Sequence, residues 1–385
     1  MSETTHIHTD LDTLSASLTD LRTRLESDPP SGIQGVVGFD GFVDTFIRMK
    51  SPASMAEFGP KVAAAAGIAA SYSVDHQGDK FGGNGPLFAA AIHDIFDATA
   101  NVTYIGGIGD GDVEPIFQEA LGEKLSRLVP IAASAHSDCL EFTDGKIMLG
   151  DFDACGDVTL DNLLKVLGEK GLDDLLKEAD FISAVNWGKL PHVGEIWSTF
   201  ANRLKELGRE AKSVPMFMDL AEFDHRSGED VQDLLARMEI LTAQCTTLLS
   251  FNLKEAWQLG DRFGGNFGGK KDPESVCELA QLLHENVKVD KIVIHPNSGA
   301  ACASQDGCVY VPGPYCQEPL ISTGAGDNFG AGCMAAVLSG CDDTEMLLMG
   351  NSTSGYFVRS GRTPNFDGLG QFLSAWSAGT LPERL

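Results

Sequence analysis

The sequence predicts a three-layer α/β sandwich, with a mostly parallel central sheet between two helical layers and a small β-strand lid. Three observations carry that expectation. Short apolar runs alternate with helical segments along most of the chain, which is the pattern of βαβ units. An Asp144-Gly145 turn inside Cys139–Phe152 marks a hairpin, which has no place in a parallel sheet. A run of small residues from Ser322 to Gly332 opens an apolar helix that reaches Gly340. With 385 residues, 43% of them hydrophobic, the chain can build a sizeable core, either as one large α/β domain with an appendage or as two or three domains.

In chain order, Leu11, Leu14, Leu18, Leu21 and Leu25 recur at spacings of three and four and predict an amphipathic helix over 10–27. That helix defines an N-terminal unit, 1–30, packed on its own domain or offered to a partner, and Asp28-Pro29-Pro30-Ser31-Gly32 breaks it. Residues 31–385 read as one α/β domain. Strands are expected at Ile33–Phe39, Val102–Ile108, Phe181–Val185, Pro215–Leu220, Thr247–Phe251 and Lys291–His295. Helices are expected at Pro86–Phe96 and near Val113–Leu125. Two stretches interrupt the rhythm: Thr45–Lys80, an extended insertion around an Ala-rich piece, and the hairpin at Cys139–Phe152. They place lid segments near 44–82 and 137–158.

A formal charge of −27 argues against nucleic acid and anionic membranes as partners, since both need a cationic face. It does not argue against an anionic substrate, which helix N-termini and a few basic side chains can hold locally. The nine cysteines contain no CxxC pair and no histidine at zinc-ligand spacing, as expected of reduced thiols in a cytoplasmic protein. The start, MSETTHIHTD, has neither the basic region nor the apolar core of a secretory signal. No apolar run is long enough for a transmembrane helix.

The sharpest chemical feature is Ser322-Thr323-Gly324-Ala325-Gly326-Asp327-Asn328. Small residues at a helix start let main-chain N–H groups converge on an anion, and the helix end adds partial positive charge. Asp327 there is expected to stay ionised and to accept a proton from a substrate hydroxyl. The plain alternative is a tight turn with Asp327 as a helix cap. The glycine spacing is GxGxxxG, not the GxGxxG of a dinucleotide turn, and no Walker lysine is present.

The block ISTGAGDNFGAG resembles the C-terminal signature of the ribokinase-like (PfkB) carbohydrate kinase family, usually DTTGAGDxFxAG. The resemblance implies an ATP- and magnesium-dependent kinase acting on a small sugar-like alcohol. Gly324, Ala325 and Gly326 would form the anion hole, and Asp327 would be the base. The opening strand with Asp40 and Asp44 resembles the family's start. It implies that one of these carboxylates binds substrate, with Asp44 the better match. Gly82, Gly83 and Asn84 resemble the N-terminal GGKGAN signature, with Asn84 in place of its lysine, and would border the substrate.

Asn252 and Glu255 match the family's NxxE motif. It implies magnesium held through water, although Asn and Glu three apart also make a capping box. His295 and Gly299 fall where the family has TxGxxG beside the nucleotide, with His295 replacing Thr and Asn297 the first Gly. Thr323 and Asn351 are expected on the nucleotide side too. Ile321 occupies the position of an Asp that helps bind an activating potassium ion in many relatives. The same fold also accommodates a nucleoside kinase or a catalytically weak sugar-binding regulator. The lid hairpin raises the prospect of a homodimer.

Overall fold

The computed structural model describes residues 5–27 and 30–385. Part of the expected break after the first helix, Asp28 and Pro29, lies outside the described residues. The strands are β1 (Thr5–Ile7), β2 (Gln34–Phe39), β3 (Phe42–Ser51), β4 (Ser73–Gly82), β5 (Asn101–Gly106), β6 (Arg127–Pro130) and β7 (Ala135–Phe142). They continue as β8 (Gly145–Asp151), β9 (Phe181–Val185), β10 (Pro215–Asp219), β11 (Thr246–Phe251), β12 (Lys291–Ile294), β13 (Gly299–Ser304) and β14 (Gly307–Pro312). Ten of them form one sheet in the order β1-β14-β13-β12-β11-β10-β9-β2-β5-β6. Its pairs are parallel except β12 with β13 and β13 with β14.

Both faces of this sheet are covered, so its strands are apolar on both sides. Successive side chains point to opposite faces. Val36, Ile182, Met216, Leu249 and Ile292 enter one core, and Val37, Phe181, Phe217, Leu248 and Val293 enter the other. The first core is closed by helices Leu160–Glu178, Val193–Glu206, Gly228–Gln244 and Pro273–Asn286. The second is closed by Asn84–Ile95, Ala325–Leu338, Asp343–Ser360 and Phe366–Ser377.

The leucine-spaced N-terminal segment folds as a short 3-10 turn and a helix, Ser15–Ser27. Leu14, Leu18, Leu21 and Leu25 are each at most 5% exposed and join the second core. Burying each contributes roughly 1.5–3 kcal/mol, which holds this helix against its own chain. The small residues of Ala325–Leu338 serve close helix packing. A Cβ on Gly332 would lie 2.5 Å from Thr353 Oγ1, and one on Gly350 would lie 2.6 Å from Cys333 Sγ.

The second sheet has the order β4-β3-β7-β8. The stretch expected as an extended insertion is two long strands around a helix, Met55–Ala64. Strands β7 and β8 form the hairpin turning at Thr143-Asp144. Asp144 accepts the main-chain N–H of Met55 at 2.7 Å, which ties the hairpin tip to that helix. Strands β1, β6, β13 and β14 had no counterpart in the expected element order. Among the described residues, no helix is long and apolar enough to cross a membrane, and all nine cysteines are free.

Candidate active site

The site grows from one edge of the sheet. Five neighbouring parallel strands, β12, β11, β10, β9 and β2, end at or just before a polar side chain: His295, Asn252, Asp219, Asn186 and Asp40. An α/β sheet presents its ligand crevice at these carboxyl ends. The helix Ala325–Leu338 starts over the same edge, with Gly324 as its left-handed N-cap at φ 90°.

Asp40 lies under this edge and is 0% exposed. Its carboxylate accepts the N–H groups of Asn84 and Gly85 at 2.8 Å each, and Asn186 Nδ2 at 2.7 Å. It is therefore the anchor of the Asn84–Ile95 helix start. A side chain is strained before that helix: Gly83 has φ 108° and a Cβ there would lie 3.0 Å from Asp40 Oδ2, while one on Gly82 would displace the Asp44 carboxylate, 2.4 Å away. Asp44, on β3, is half-buried and lines the larger of two cavities. Burial raises its carboxyl, while Ser137, Lys146 and His136 pull it back down.

Asn84 links the two carboxylates that matter most. Its Oδ1 accepts Asn186 Nδ2 at 3.2 Å, so its Nδ2 faces Asp327 and donates to Oδ1 at 3.0 Å. Asp327 is not held in the ordinary ionised range, contrary to the sequence expectation. Burial pushes its carboxyl well above the usual values, and the nearby Asp219 and Asp40 push it further. The helix end and the Asn84 hydrogen bond do not offset three carboxylates sharing one enclosed site.

Two cavities meet here. The larger, about 1450 Å³, lies beneath the second sheet and includes Asp44, Gly82, Gly83, Lys146 and Asn328 on its walls. The smaller, about 490 Å³, includes Asn84, Asp219, Glu255, His295, Gly326 and Asp327. Pro319 and Ser322 line both. Asp327 thus faces the smaller cavity while its neighbour Asn328 faces the larger.

On the smaller side, Asn252 and Glu255 do form a capping box. Asn252 Oδ1 accepts the Glu255 N–H at 3.0 Å, and Glu255 accepts both the N–H and Nδ2 of Asn252. They also line the cavity, so the capping and ligand-facing readings coexist. Burial and the Asp219 charge push Glu255 up to about 8, and burial pushes Asp219 up to about 6. The cavity wall contains Asp219, Glu255 and Asp327 with no lysine or arginine among the described residues. Among the described residues no three of these side chains converge as direct metal ligands, so a hard divalent ion on this wall would be held largely through water.

His295 stacks on Phe329, with ring centroids 4.7 Å apart, and burial lowers its pKa to about 4. It is neutral, and its buried Nε2 has no protein partner. Asn351 also lines the smaller cavity and donates to Pro312 O at 3.1 Å. Ala325 has its N–H engaged by Ser322 O at 3.2 Å and Gly324 lines neither cavity, so of the three expected anion-hole residues Gly326 is the one that presents a first-turn amide to the smaller cavity.

Two expectations need correction. Gly299 is off the cavity wall and packs against β14, where a Cβ would lie 2.4 Å from Val311 O; Asn297 takes its place on the wall. Thr323 lines the larger cavity, not the smaller, just before the left-handed Gly324 cap. Sequence reading also missed Asn186 and Asp219. The available signal was a polar residue closing an apolar strand, Val185-Asn186 and Met218-Asp219, at the same sheet edge as Asn252.

Comparison with known proteins gives a consistent picture. The profile of a family described as prokaryotic ketohexokinase matches residues 12–376. A ketohexokinase from Haloferax volcanii is 25% identical over 275 residues, covering 71% of this chain and 70% of that protein. Among solved structures, a ribokinase from Arabidopsis thaliana, determined with ribose and ATP, aligns with a TM-score of 0.63 at 17% identity, over 89% of this chain and 99% of that one. A ribokinase from Thermotoga maritima aligns with a TM-score of 0.60 at 15% identity, over 90% and 100%.

Proposed function

The chain belongs to the prokaryotic ketohexokinase family and is a sugar kinase, and on that premise we propose that it transfers the γ-phosphoryl group of ATP to a hydroxyl of a ketohexose. The observation that carries the reading is the junction of the two cavities at residues 319–328, with a carboxylate at a helix N-terminus on one side and Asp44 on the other. The sugar occupies the larger cavity, where Asp44 accepts hydrogen bonds from its hydroxyls and Gly82 and Gly83 let the main chain approach. The nucleotide occupies the smaller cavity, with its phosphates toward the Gly326 amide and the helix end.

The sugar hydroxyl attacks the γ-phosphorus, the bond to the β–γ bridging oxygen breaks, and ADP leaves with the electron pair. Asp327 takes the hydroxyl proton. It must be ionised to do so, and the positive charge of magnesium beside Asp219 would draw its carboxyl back down from where burial and the neighbouring carboxylates push it. Asn84 holds one of its oxygens and leaves the other to the substrate. Asp219, Asn252 and Glu255 are the residues that would hold magnesium, through water at Asn252 and Glu255. The ion supplies charge neutralisation of the phosphates and of the clustered carboxylates.

The second sheet acts as a lid over the sugar, and its edge strand β8 offers a surface for a second copy of the chain. The direct test is ADP release in the presence of magnesium and ATP across fructose, other ketohexoses, aldohexoses, ribose and nucleosides. Turnover with a ketohexose above all others supports the proposal. Turnover with nucleosides only, or with no alcohol at all, overturns it.

A further inference from the structure

We propose that Lys146, carried by the lid hairpin, supplies the positive charge at the point of phosphoryl transfer, so that the site is complete only when the lid is down. The inference rests on the sugar-kinase reading of the two cavities. Lys146 is the second residue of β8 and is exposed on the lid, yet its Nζ donates to Thr323 Oγ1 at 2.9 Å across 177 positions of sequence. Thr323 immediately precedes Gly324 and the helix start that faces the phosphates. The same ammonium lowers the carboxyl of Asp44, which lies on the same lid sheet and lines the same cavity. It therefore stands between the sugar-side carboxylate and the anion loop.

Among the described residues, no other basic side chain lining either cavity is bonded to this loop. The wall of the smaller cavity has no lysine or arginine among the described residues. In the larger cavity, Lys124 pairs with Asp94 at 2.6 Å, Arg48 with Glu141 at 3.9 Å, and Lys80 lies over the Phe46 ring at 4.8 Å. Arg362 lines the same cavity but makes no contact with the anion loop of the kind Lys146 makes. Asn84, beside the base, is neutral. An ammonium has three donors, of which Thr323 takes one. Charge spreading over the transferred phosphoryl's oxygens is stabilised by a donor held ready at that place. Because the donor rides on the lid, closure delivers the charge together with the exclusion of water. That arrangement favours transfer to the sugar over hydrolysis.

The test separates charge from latch. In the full-length protein with magnesium and ATP, Lys146→Met, Lys146→Gln and Lys146→Arg are compared for turnover with the best sugar, and nucleotide affinity is read by titration with a non-hydrolysable ATP analogue. Lys146→Gln can still hydrogen-bond Thr323 but carries no charge. The expected result is a fall of about 30–300-fold in kcat for both Met and Gln, nucleotide affinity within threefold, and partial recovery in Lys146→Arg. The side chain is exposed, so thermal midpoints should match the wild type. Near-full turnover in Lys146→Gln reduces Lys146 to a latch, and near-full turnover in Lys146→Met removes it altogether; either overturns the proposal while leaving the wild-type kinase intact. A wild type that phosphorylates no sugar overturns the functional reading first and this inference with it.

Discussion

Asp40 and Asp44 are four residues apart, and the structure gives them opposite consequences on mutation. Asp40 is fully buried, and three donors converge on it: the N–H groups of Asn84 and Gly85, and the Asn186 amide. Asp40→Ala strands the two N–H groups and leaves the Asn186 amide only its bond to Asn84. At about 1–3 kcal/mol for each stranded N–H, the loss is at least about 2 kcal/mol of stability, a drop of about 2–3 °C or more in Tm for a chain of this length. Asp44 faces the larger cavity and tethers no main-chain segment. Asp44→Ala should leave Tm nearly unchanged and remove an acidic partner from the sugar, worth roughly 1.5–3 kcal/mol or about 10–150-fold in sugar KM. ATP affinity should not move. Differential scanning fluorimetry and steady-state kinetics on both variants decide it. A stable Asp40→Ala protein with a raised sugar KM, beside a kinetically normal Asp44→Ala, refutes this division of labour.

Ile321 puts an apolar side chain where a cation-site Asp is common in relatives, so turnover in potassium should equal turnover in a bulky organic cation at matched ionic strength; a large potassium stimulation contradicts this. Asp219 and Glu255 are raised to about 6 and about 8, so the metal-free fold binds more protons than the unfolded chain between about pH 4 and 8, and stability must fall as pH rises through that window. The fall in Tm from pH 5 to pH 8 should be smaller in Asp219→Asn than in the wild type, and an identical fall in both sinks the argument. The edge strand β8 exposes Met148 at 45% and Leu149 at 55%, and uncovered sheet edges invite pairing. Light scattering at micromolar concentration should give a dimer mass, and a monomer mass removes the lid-mediated pair.

Much of the architecture was legible because period and burial agree. The strands at Phe181–Val185, Pro215–Asp219 and Thr246–Phe251 are short apolar runs bounded by turns, and the sheet buries them on both faces. Strand β13 escaped because Gly299–Ser304 is built of small residues, with too little β-branched character to stand out from a loop, whereas Val309, Tyr310 and Val311 of β14 were a readable strand signal that went unused. Strand β6 is only four residues long and β1 only three. The helix inside Thr45–Lys80 was hidden by Gly59 and Pro60, which usually break helices.

At the site, Asp327, Asn84, Asn252 and Glu255 were readable from local motifs. The environment of Asp327 was not. The helix N-terminus is local and argues for an ionised carboxylate, whereas burial, joined by Asp219 and Asp40 arriving from other strands, outweighs it. Asn186 escaped for a similar reason, since its role depends on two acceptors, Asp40 and Asn84, that lie 146 and 102 residues away in sequence.

Asp327 is the proposed base, and Asp327→Asn tests that role most directly. The variant keeps an oxygen for Asn84 Nδ2, now 3.0 Å from Asp327 Oδ1, and it relieves the repulsion from Asp219, so the fold should be no less stable. Only proton acceptance is lost. A positioned general base is worth about 10²–10⁴ in rate, so single-turnover phosphorylation of the sugar should fall at least 100-fold, with ATP and sugar affinities within about threefold of wild type. Retention of more than about a tenth of the wild-type single-turnover rate would contradict the account and reduce Asp327 to a helix cap.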